Sequence, residues 1–381
     1  MKSLTAISAF TAFLVLGCSA QTAQVPPADA VVSEQATFKV ELVTDGLRYP
    51  WGMAFLPDGA MLVTERPGTL RLVSSDGMLA PAPIGGTPDV FAKGQGGLLD
   101  VAIDPAFSET NLVYLSYAGV DEDGRSSTRV ARGRLLDGHL QDLEVIFRSN
   151  SASSGGVHWG SRIGFDPSGH LYVTAGDRGN QDQAQSLSRH AGSVIRINPD
   201  GSVPDDNPFV GDSQALPEIY SYGHRNPQGL AVHPETGRIW TQEHGPQGGD
   251  EVNLIDAAVN YGWPEITWGV NYGGRPINGG LREQDGMAQP VHFWDPSIAP
   301  SGMTFYDGNA FPAWQGDLFV GALKYQLITR LEMEGDEIVA EERLLEGELG
   351  RVRDVRTGPD GFLYVLTDDS NGGLYRLSPA G

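Results

Sequence analysis

The sequence predicts an all-β fold, a six-bladed β-propeller, on three observations. A short strand unit recurs six times. No long amphipathic helical pattern occurs past residue 37. Fifty glycines and 25 prolines are scattered along the 381 residues, which suits many short strands joined by tight turns better than a disordered tract.

The chain opens on Met1-Lys2, a short basic start, followed by mostly apolar or small residues from Leu4 to Leu16, then Gly17 and Cys18. This run is too short to span a bilayer, and residues 1–18 read as a signal peptide. Val15-Leu16-Gly17-Cys18 resembles a bacterial lipoprotein box, in which the Cys becomes the lipidated N-terminus. The alternatives are an ordinary cleavage site at Cys18-Ser19-Ala20 and a cysteine without a role. On the lipoprotein reading the protein is exported and sits on the periplasmic side, touching the membrane only through a lipid on Cys18. As the only cysteine, Cys18 rules out an intramolecular disulfide and a cysteine-based zinc site. Residues 19–37, rich in Ala, Pro, Gln, Thr and Val without periodicity, read as a flexible tether. A single catalytic domain is expected over 38–381.

Within it, each unit is a turn with Asp or Gly, four or five apolar residues, a short polar stretch and a second strand. The copies lie at 57–65 (PDGAMLVTE), 111–116 (NLVYLS), 166–175 (DPSGHLYVTA), 235–242 (ETGRIWTQ), 315–322 (QGDLFVGA) and 359–367 (PDGFLYVLT). Their spacing matches propeller blades with loop insertions. One unit is too small to bury its own faces; radial stacking buries them and leaves few edges. Charged groups follow the apolar run at one register: Glu65-Arg66, Asp177-Arg178, Glu243-His244, Lys324 and Asp368-Asp369. Equivalent strand ends surround one mouth of a propeller, so these groups are expected to converge there. The plainer alternative makes them solvated turn residues.

Lys and Arg number 26 against 48 Asp and Glu, a formal charge of −22. Such a surface repels nucleic acid and anionic lipid, which excludes a phosphate-backbone ligand; it also keeps a protein soluble.

Four segments carry candidate chemistry. In Gly155-Gly156-Val157-His158-Trp159-Gly160, glycines frame an imidazole suited to general-base work near neutral pH. Asp177, at the next strand end, is placed to orient it. Tyr222-Gly223-His224-Arg225-Asn226-Pro227-Gln228-Gly229 packs two candidate cations and an amide into one loop, fitting a polar anionic ligand; a blade-connecting turn is the alternative. The stretch from Glu243 to Asn253, with Gly245-Pro246 and Asp250-Glu251, offers hard oxygen donors and free carbonyls of the kind Ca²⁺ accepts, though without EF-hand spacing. Lys324 and Arg351-Val352-Arg353 are basic in an acidic chain, and alternation puts Arg351 and Arg353 on one face of a strand. A charged edge strand would look the same. Together they describe one pocket with a base, a divalent-cation site and cations for carboxylates. No dinucleotide fingerprint is present, which argues against a nicotinamide cofactor.

These residues resemble the soluble PQQ-dependent glucose/sorbosone dehydrogenase family over roughly residues 38–378. The resemblance is carried by Leu47-Arg48-Tyr49-Pro50-Trp51-Gly52-Met53, Gly94-Gln95-Gly96-Gly97-Leu98-Leu99, the stretch at His158, the Arg225-Asn226 loop, Glu243-His244-Gly245-Pro246, Asp250-Glu251-Val252-Asn253, Asn260-Tyr261-Gly262-Trp263-Pro264 and Arg351-Val352-Arg353-Asp354-Val355. In length the chain is similar to the shorter, aldose sugar dehydrogenase branch. The resemblance implies a PQQ- and Ca²⁺-dependent oxidation of the C1 hydroxyl of aldose sugars to aldonolactones, with electrons passing on to an unidentified acceptor. It makes His158 the general base and Asp177 its orienting group. It assigns Gln95, Arg225, Asn226, Tyr272, Lys324, Arg351 and Arg353 to PQQ, with Arg225 also stabilising developing oxyanion charge. The carbonyls of Gly245 and Pro246 would hold the catalytic Ca²⁺, and Glu251 and Tyr261 a second, structural one. Tyr272 rests on Gly269-Val270-Asn271-Tyr272-Gly273. The alternatives are a Ca²⁺-dependent propeller lactonase, which needs neither Lys324 nor the Arg351/Arg353 pair, and a non-catalytic binding propeller, which needs no His158–Asp177 register.

Overall fold

The computed structural model describes residues 29–380. Six antiparallel sheets stand around one axis. Blade 1 runs Pro50–Phe55, Met61–Glu65, Thr69–Val73; blade 2 Leu98–Ile103, Leu112–Val120, Ser126–Leu136, His139–Arg148; blade 3 Gly160–Phe165, Leu171–Ala175, Ser193–Ile197, Ile219–Tyr222. Blade 4 runs Pro227–Val232, Ile239–Glu243, Asp250–Ile255, His292–Trp294; blade 5 Pro300–Phe305, Leu318–Ala322, Leu327–Glu334, Glu337–Leu344; blade 6 Val352–Thr357, Leu363–Thr367, Gly372–Pro379. The first strand of each blade lies innermost, against its neighbours in the adjacent blades. The six-bladed propeller read from the sequence is the observed fold, and each of the six repeats falls on the second strand of a blade. Those strands are apolar runs buried on both faces.

The ring closes through the N-terminal segment. Thr37–Leu47 pairs with Gly372–Pro379, and Val31–Val32 pairs with it in turn, Val31 opposite Phe38. This corrects the tether boundary at residue 37, because β-structure starts at Val31. Burial explains it: Phe38 is buried against Trp314 and Phe311, with ring centroids 5.6 and 6.4 Å away, and Val31 and Ala36 pack on the same cluster. A composition that reads as linker thus covers an aromatic core. The signal peptide, Cys18 and tether residues 19–28 lie outside the described residues.

Every inner strand begins with a register shift against its partner: at Pro50/Met53, Leu98/Val101, Gly160/Ile163, Pro227/Gly229, Pro300/Met303 and Val352/Asp354. Bulges of this kind re-aim side chains at a rim. All six sit at the same mouth, beside the ends of the second strands. Beneath that mouth an ion network plugs the axis. Arg162 donates to Asp100 and stands 3.1 Å from Asp354, while Arg356 reaches both acids at 3.4 and 3.1 Å. Burial pushes the Asp100 carboxyl up, against the pull of Arg162 and Arg356. Gly302 makes room for the plug: a Cβ there would lie 1.9 Å from Asp354 Oδ1.

Candidate active site

The mouth is built from two sets of positions, the loops entering the inner strands and the turns leaving the second strands. His158 belongs to the first set and Asp177 to the second. His158 Nδ1–H donates to Asp177 Oδ1 at 2.6 Å. Asp177 also accepts from the Gly179 N–H at 2.7 Å and, through Oδ2, from the Trp263 indole at 2.9 Å. Burial pushes the Asp177 carboxyl up, but these donors, His158 foremost, outweigh it and hold it below the usual range. The carboxylate is therefore ionised, and it fixes the imidazole with Nε2 as the free nitrogen. His158 itself has φ +51°, a left-handed backbone costing an L residue about 1 kcal/mol or more. Its N–H donates to Gln95 Oε1 at 2.7 Å.

Next around the ring, Glu243 organises the Arg225–Asn226 loop. It accepts from the His224 ring at 2.8 Å, the Arg225 N–H at 2.5 Å and the Asn226 N–H at 3.3 Å. This corrects the expectation of two cations in that loop. His224 is buried, its second nitrogen 2.9 Å from Ser221 Oγ and its ring stacked on Tyr261, so only Arg225 serves the mouth. Arg225 Nη1 donates to the carbonyls of His244 and Gly245 at 3.0 and 2.7 Å. Asn226 Oδ1 accepts from the Gly160 N–H at 3.1 Å, tying this loop to the His158 strand.

The basic pair does converge. Arg351 and Arg353 both donate to Asp368 Oδ2, at 3.1 and 2.9 Å, and Arg353 also donates to Gln228 Oε1 at 3.1 Å. Their surroundings differ: the Arg353 side chain is 7 % exposed and that of Arg351 47 %. The two cations share one carboxylate, so they offer less net charge than the sequence suggests. Lys324 is exposed, its ammonium 5.1 Å from the Tyr325 ring centroid. Lys324, Tyr272 (77 % exposed), Gly245, Pro246 and His244 line one hollow of about 480 Å³. A larger hollow of about 640 Å³ lies between blades 4 and 5 on the opposite face, lined by His233, Glu235, Asp307 and Asp336; none of the candidate groups reaches it.

The cation candidates separate into two places. At the Gly245–Pro246 turn, the Gly245 N–H donates to Asp250 at 2.8 Å, and Asp250 also takes Ser297 Oγ and the Ala299 N–H. Asp250 therefore shapes the turn rather than offering itself to a metal. Below it, Glu251 stands opposite Glu243 in the strand register, and Asn253 Nδ2 donates to both at 3.3 Å. Burial first, and the Glu243 charge second, push the Glu251 carboxyl well up. Glu243, Glu251 and Tyr261 line a cavity of about 10 Å³, room for one ion or water. The Tyr261 hydroxyl is spent, donating to the Leu254 carbonyl at 2.6 Å, which leaves its backbone oxygen as the only donor. Among the described residues, no group of three or more His, Cys, Asp or Glu side chains is arranged to hold a metal ion by itself.

Two contributors escaped the sequence reading as site residues, and a third, His244, was expected at the mouth only as one of its charged groups. Trp263 holds the second oxygen of Asp177, and Gln228 anchors Arg353. His244 is buried, its Nε2–H donates to the Pro300 carbonyl at 2.5 Å, and burial drives its pKa down to about 3. A neutral imidazole thus lines the mouth. The first two act through contacts between different blades; only the motifs around them, Asn260-Tyr261-Gly262-Trp263-Pro264 and Pro227-Gln228-Gly229, hinted at them.

A family model described as glucose/sorbosone dehydrogenase matches residues 47–376. The chain belongs to the glucose/sorbosone dehydrogenase family. Its dehydrogenase relatives make it an enzyme, a sugar dehydrogenase, rather than the lactonase or the non-catalytic propeller. Among its relatives, the aldose sugar dehydrogenase YliI of Escherichia coli K12 is 45 % identical over 354 residues, 92 % of this chain and 95 % of that protein. The solved apo-form of the soluble aldose sugar dehydrogenase from Escherichia coli superimposes with TM-score 0.87 at 44 % identity, covering 90 % of this chain and 99 % of that one. The PQQ-bound form of the aldose sugar dehydrogenase from Streptomyces coelicolor does so with TM-score 0.75 at 28 % identity, covering 93 % and 100 %.

Proposed function

We propose that this family member is a PQQ- and Ca²⁺-dependent aldose sugar dehydrogenase that oxidises the C1 hydroxyl of aldoses to aldonolactones. The observation that carries the reading is the His158–Asp177 pair at 2.6 Å, set in a mouth whose other walls carry cations. The donors suit PQQ, a tricarboxylate. Arg225 Nε and Arg353 Nε are buried without a hydrogen-bond partner, and a buried donor left unpaired is costly. Anionic oxygens at those points would relieve both. Gln95, Asn226, Tyr272, Lys324 and Arg351 would complete the cradle. For Ca²⁺, the Pro246 carbonyl accepts no bond among the described residues and the Gly245 carbonyl has a second lone pair beside Arg225. Glu251 and the Tyr261 carbonyl suit a structural ion, because a divalent cation would offset the facing carboxylates.

When bound, PQQ supplies the acceptor for the C1 hydride, with Ca²⁺ as Lewis acid on its quinone carbonyl. His158 Nε2 takes the C1 hydroxyl proton. Asp177, ionised and held by three donors, stabilises the resulting imidazolium without taking its proton. Arg225 lies where negative charge develops and lowers its cost. As the C1 hydroxyl loses its proton and C1 its hydride, C1 becomes the lactone carbonyl carbon.

Purified apo-protein, titrated with PQQ and Ca²⁺ and given an aldose and a redox dye, tests the reading. Dye reduction that needs both additions and yields lactone is expected; an aldose-inert holo-protein would overturn it. We also propose that the chain is exported and diacylated at Cys18, two chains being enough for stable anchoring. Intact mass of the native protein decides: an unlipidated N-terminus past Cys18 would sink it.

A further inference from the structure

The backbone leading into His158 is gripped on every side. The Gln95 N–H donates to the Gly156 carbonyl at 2.8 Å. The carbonyls on either side of that one, Gly155 and Val157, are both taken by Arg178, through Nη2 at 2.8 Å and through Nη1 respectively. Beyond His158, the same guanidinium lies over the Trp159 ring, 3.3 Å from its centroid. One side chain therefore holds residues 155, 157 and 159, before and after the base.

Arg178 is only 4 % exposed. Burial lowers its guanidinium pKa to about 10, so it is still a cation at neutral pH, and it has no carboxylate within bonding distance among the described residues. Burying a charge against carbonyls and a ring is unfavourable unless those contacts are needed. What they oppose is strain: His158 at φ +51° and Arg178 itself at φ +57° are both left-handed, and such residues persist only where their surroundings over-determine them. Asp177 orients the imidazole ring; the next residue grips the backbone that carries it.

We propose that Arg178 is a positioning residue: it locks the 155–159 backbone so that the His158 imidazole stays on Asp177 with Nε2 facing the mouth. The proposal rests on His158 being the base, and the test separates the two. Without the clamp, His158 relaxes towards ordinary φ and the ring leaves Asp177. A displacement of about 1 Å at a catalytic group can cost on the order of a hundredfold in rate.

The experiment compares full-length wild type, Arg178→Met and Arg178→Lys. Proton NMR of the apo-proteins follows the downfield Nδ1–H signal of His158, assigned by its absence from His158→Gln. PQQ-loaded enzymes give kcat and KM separately. Expected are loss of the signal and a kcat reduced roughly ten- to a hundredfold in Arg178→Met. Its KM and PQQ affinity should be unchanged, with partial recovery of signal and kcat in Arg178→Lys. A folded Arg178→Met with a sharp signal and wild-type kcat would overturn the proposal, as would a fall in PQQ affinity matching the fall in rate. If Arg178→Met does not fold, an Arg178→Lys indistinguishable from wild type overturns it. If no variant oxidises aldoses but the signal still follows the clamp, the positioning role stands and the reaction assigned above falls.

Discussion

The blade-3 side of the mouth and the blade-6 side are built on opposite terms. On blade 3, the groups that fix His158 are paired with one another: Asp177 takes three donors, Gln95 and Asn226 cap backbone N–H groups, and the strained loop is held by Gln95 and Arg178, with only Arg178 Nε and Trp159 Nε1 left unpartnered behind it. On blade 6, two arginines share one oxygen of Asp368 and a buried guanidinium nitrogen goes unpaired. On the first side the base and its orienting carboxylate are set before any ligand arrives, as proton transfer in a fixed geometry requires. The second is left short of acceptors, as a site for a polyanion should be. Turnover should therefore be sensitive on blade 3 and affinity on blade 6.

The largest effect tests the blade-3 side. His158→Ala should lower kcat by about 10²–10⁴-fold, the usual worth of a general base, with PQQ affinity near wild type by fluorescence titration. A near-normal rate in a PQQ-loaded variant would remove His158 from the chemistry. On the open side, Arg353→Ala should weaken PQQ binding by roughly ten- to a hundredfold, the worth of a charge-assisted bond of about 1.5–3 kcal/mol. Arg351→Ala should cost less and lose its effect at high salt, because its side chain is half in water. Equal effects of the two substitutions would break the distinction between buried and exposed partner.

A third comparison sets Glu251 against the mouth. Ca²⁺ should raise the Tm of the PQQ-free protein by several degrees through binding the native state alone. Glu251→Gln should abolish that rise. A Ca²⁺ effect that survives the substitution would move the structural ion elsewhere.

The smallest effect concerns Asp368. Burial raises its carboxyl, but Arg353 and then Arg351 outweigh this and hold its folded pKa below the usual value. A depressed carboxyl stabilises the fold above the unfolded pKa of about 3.9, and that stability is lost as pH falls through the folded value. Asp368→Asn should thus lower Tm at neutral pH by a degree or two, with the gap to wild type closing below about pH 4. A constant gap across that range would show that the Asp368 charge contributes nothing.

The second strand of each blade was legible in the sequence because it is a doubly buried apolar run bracketed by turn residues. The inner strands were not. Gly160–Phe165 and Val352–Thr357 carry Arg162, Asp354 and Arg356, which a strand pattern reads as exposed; they turn inward because they pair with one another and with Asp100 around the axis, a partnership formed largely across blades. The same cause misread His224 as a ligand-facing cation: Glu243, its partner, is nineteen positions on. Val31–Val32 hid in a linker-like composition. His158, Asp177 and the Arg351/Arg353 pair were readable by register and by alternation. Trp263 and Gln228 were not, since an indole or an amide that braces another side chain leaves no local pattern.

On this account the mouth takes a proton from the C1 hydroxyl of an aldose and a hydride from C1 itself. Anaerobic stopped-flow of the PQQ- and Ca²⁺-loaded protein against glucose bearing deuterium at C1 tests it most directly. Cofactor reduction that is slowed several-fold by the label, and nearly abolished in His158→Ala, is the expected result. Reduction at the same rate with labelled and unlabelled sugar, or at the wild-type rate without His158, would contradict the account.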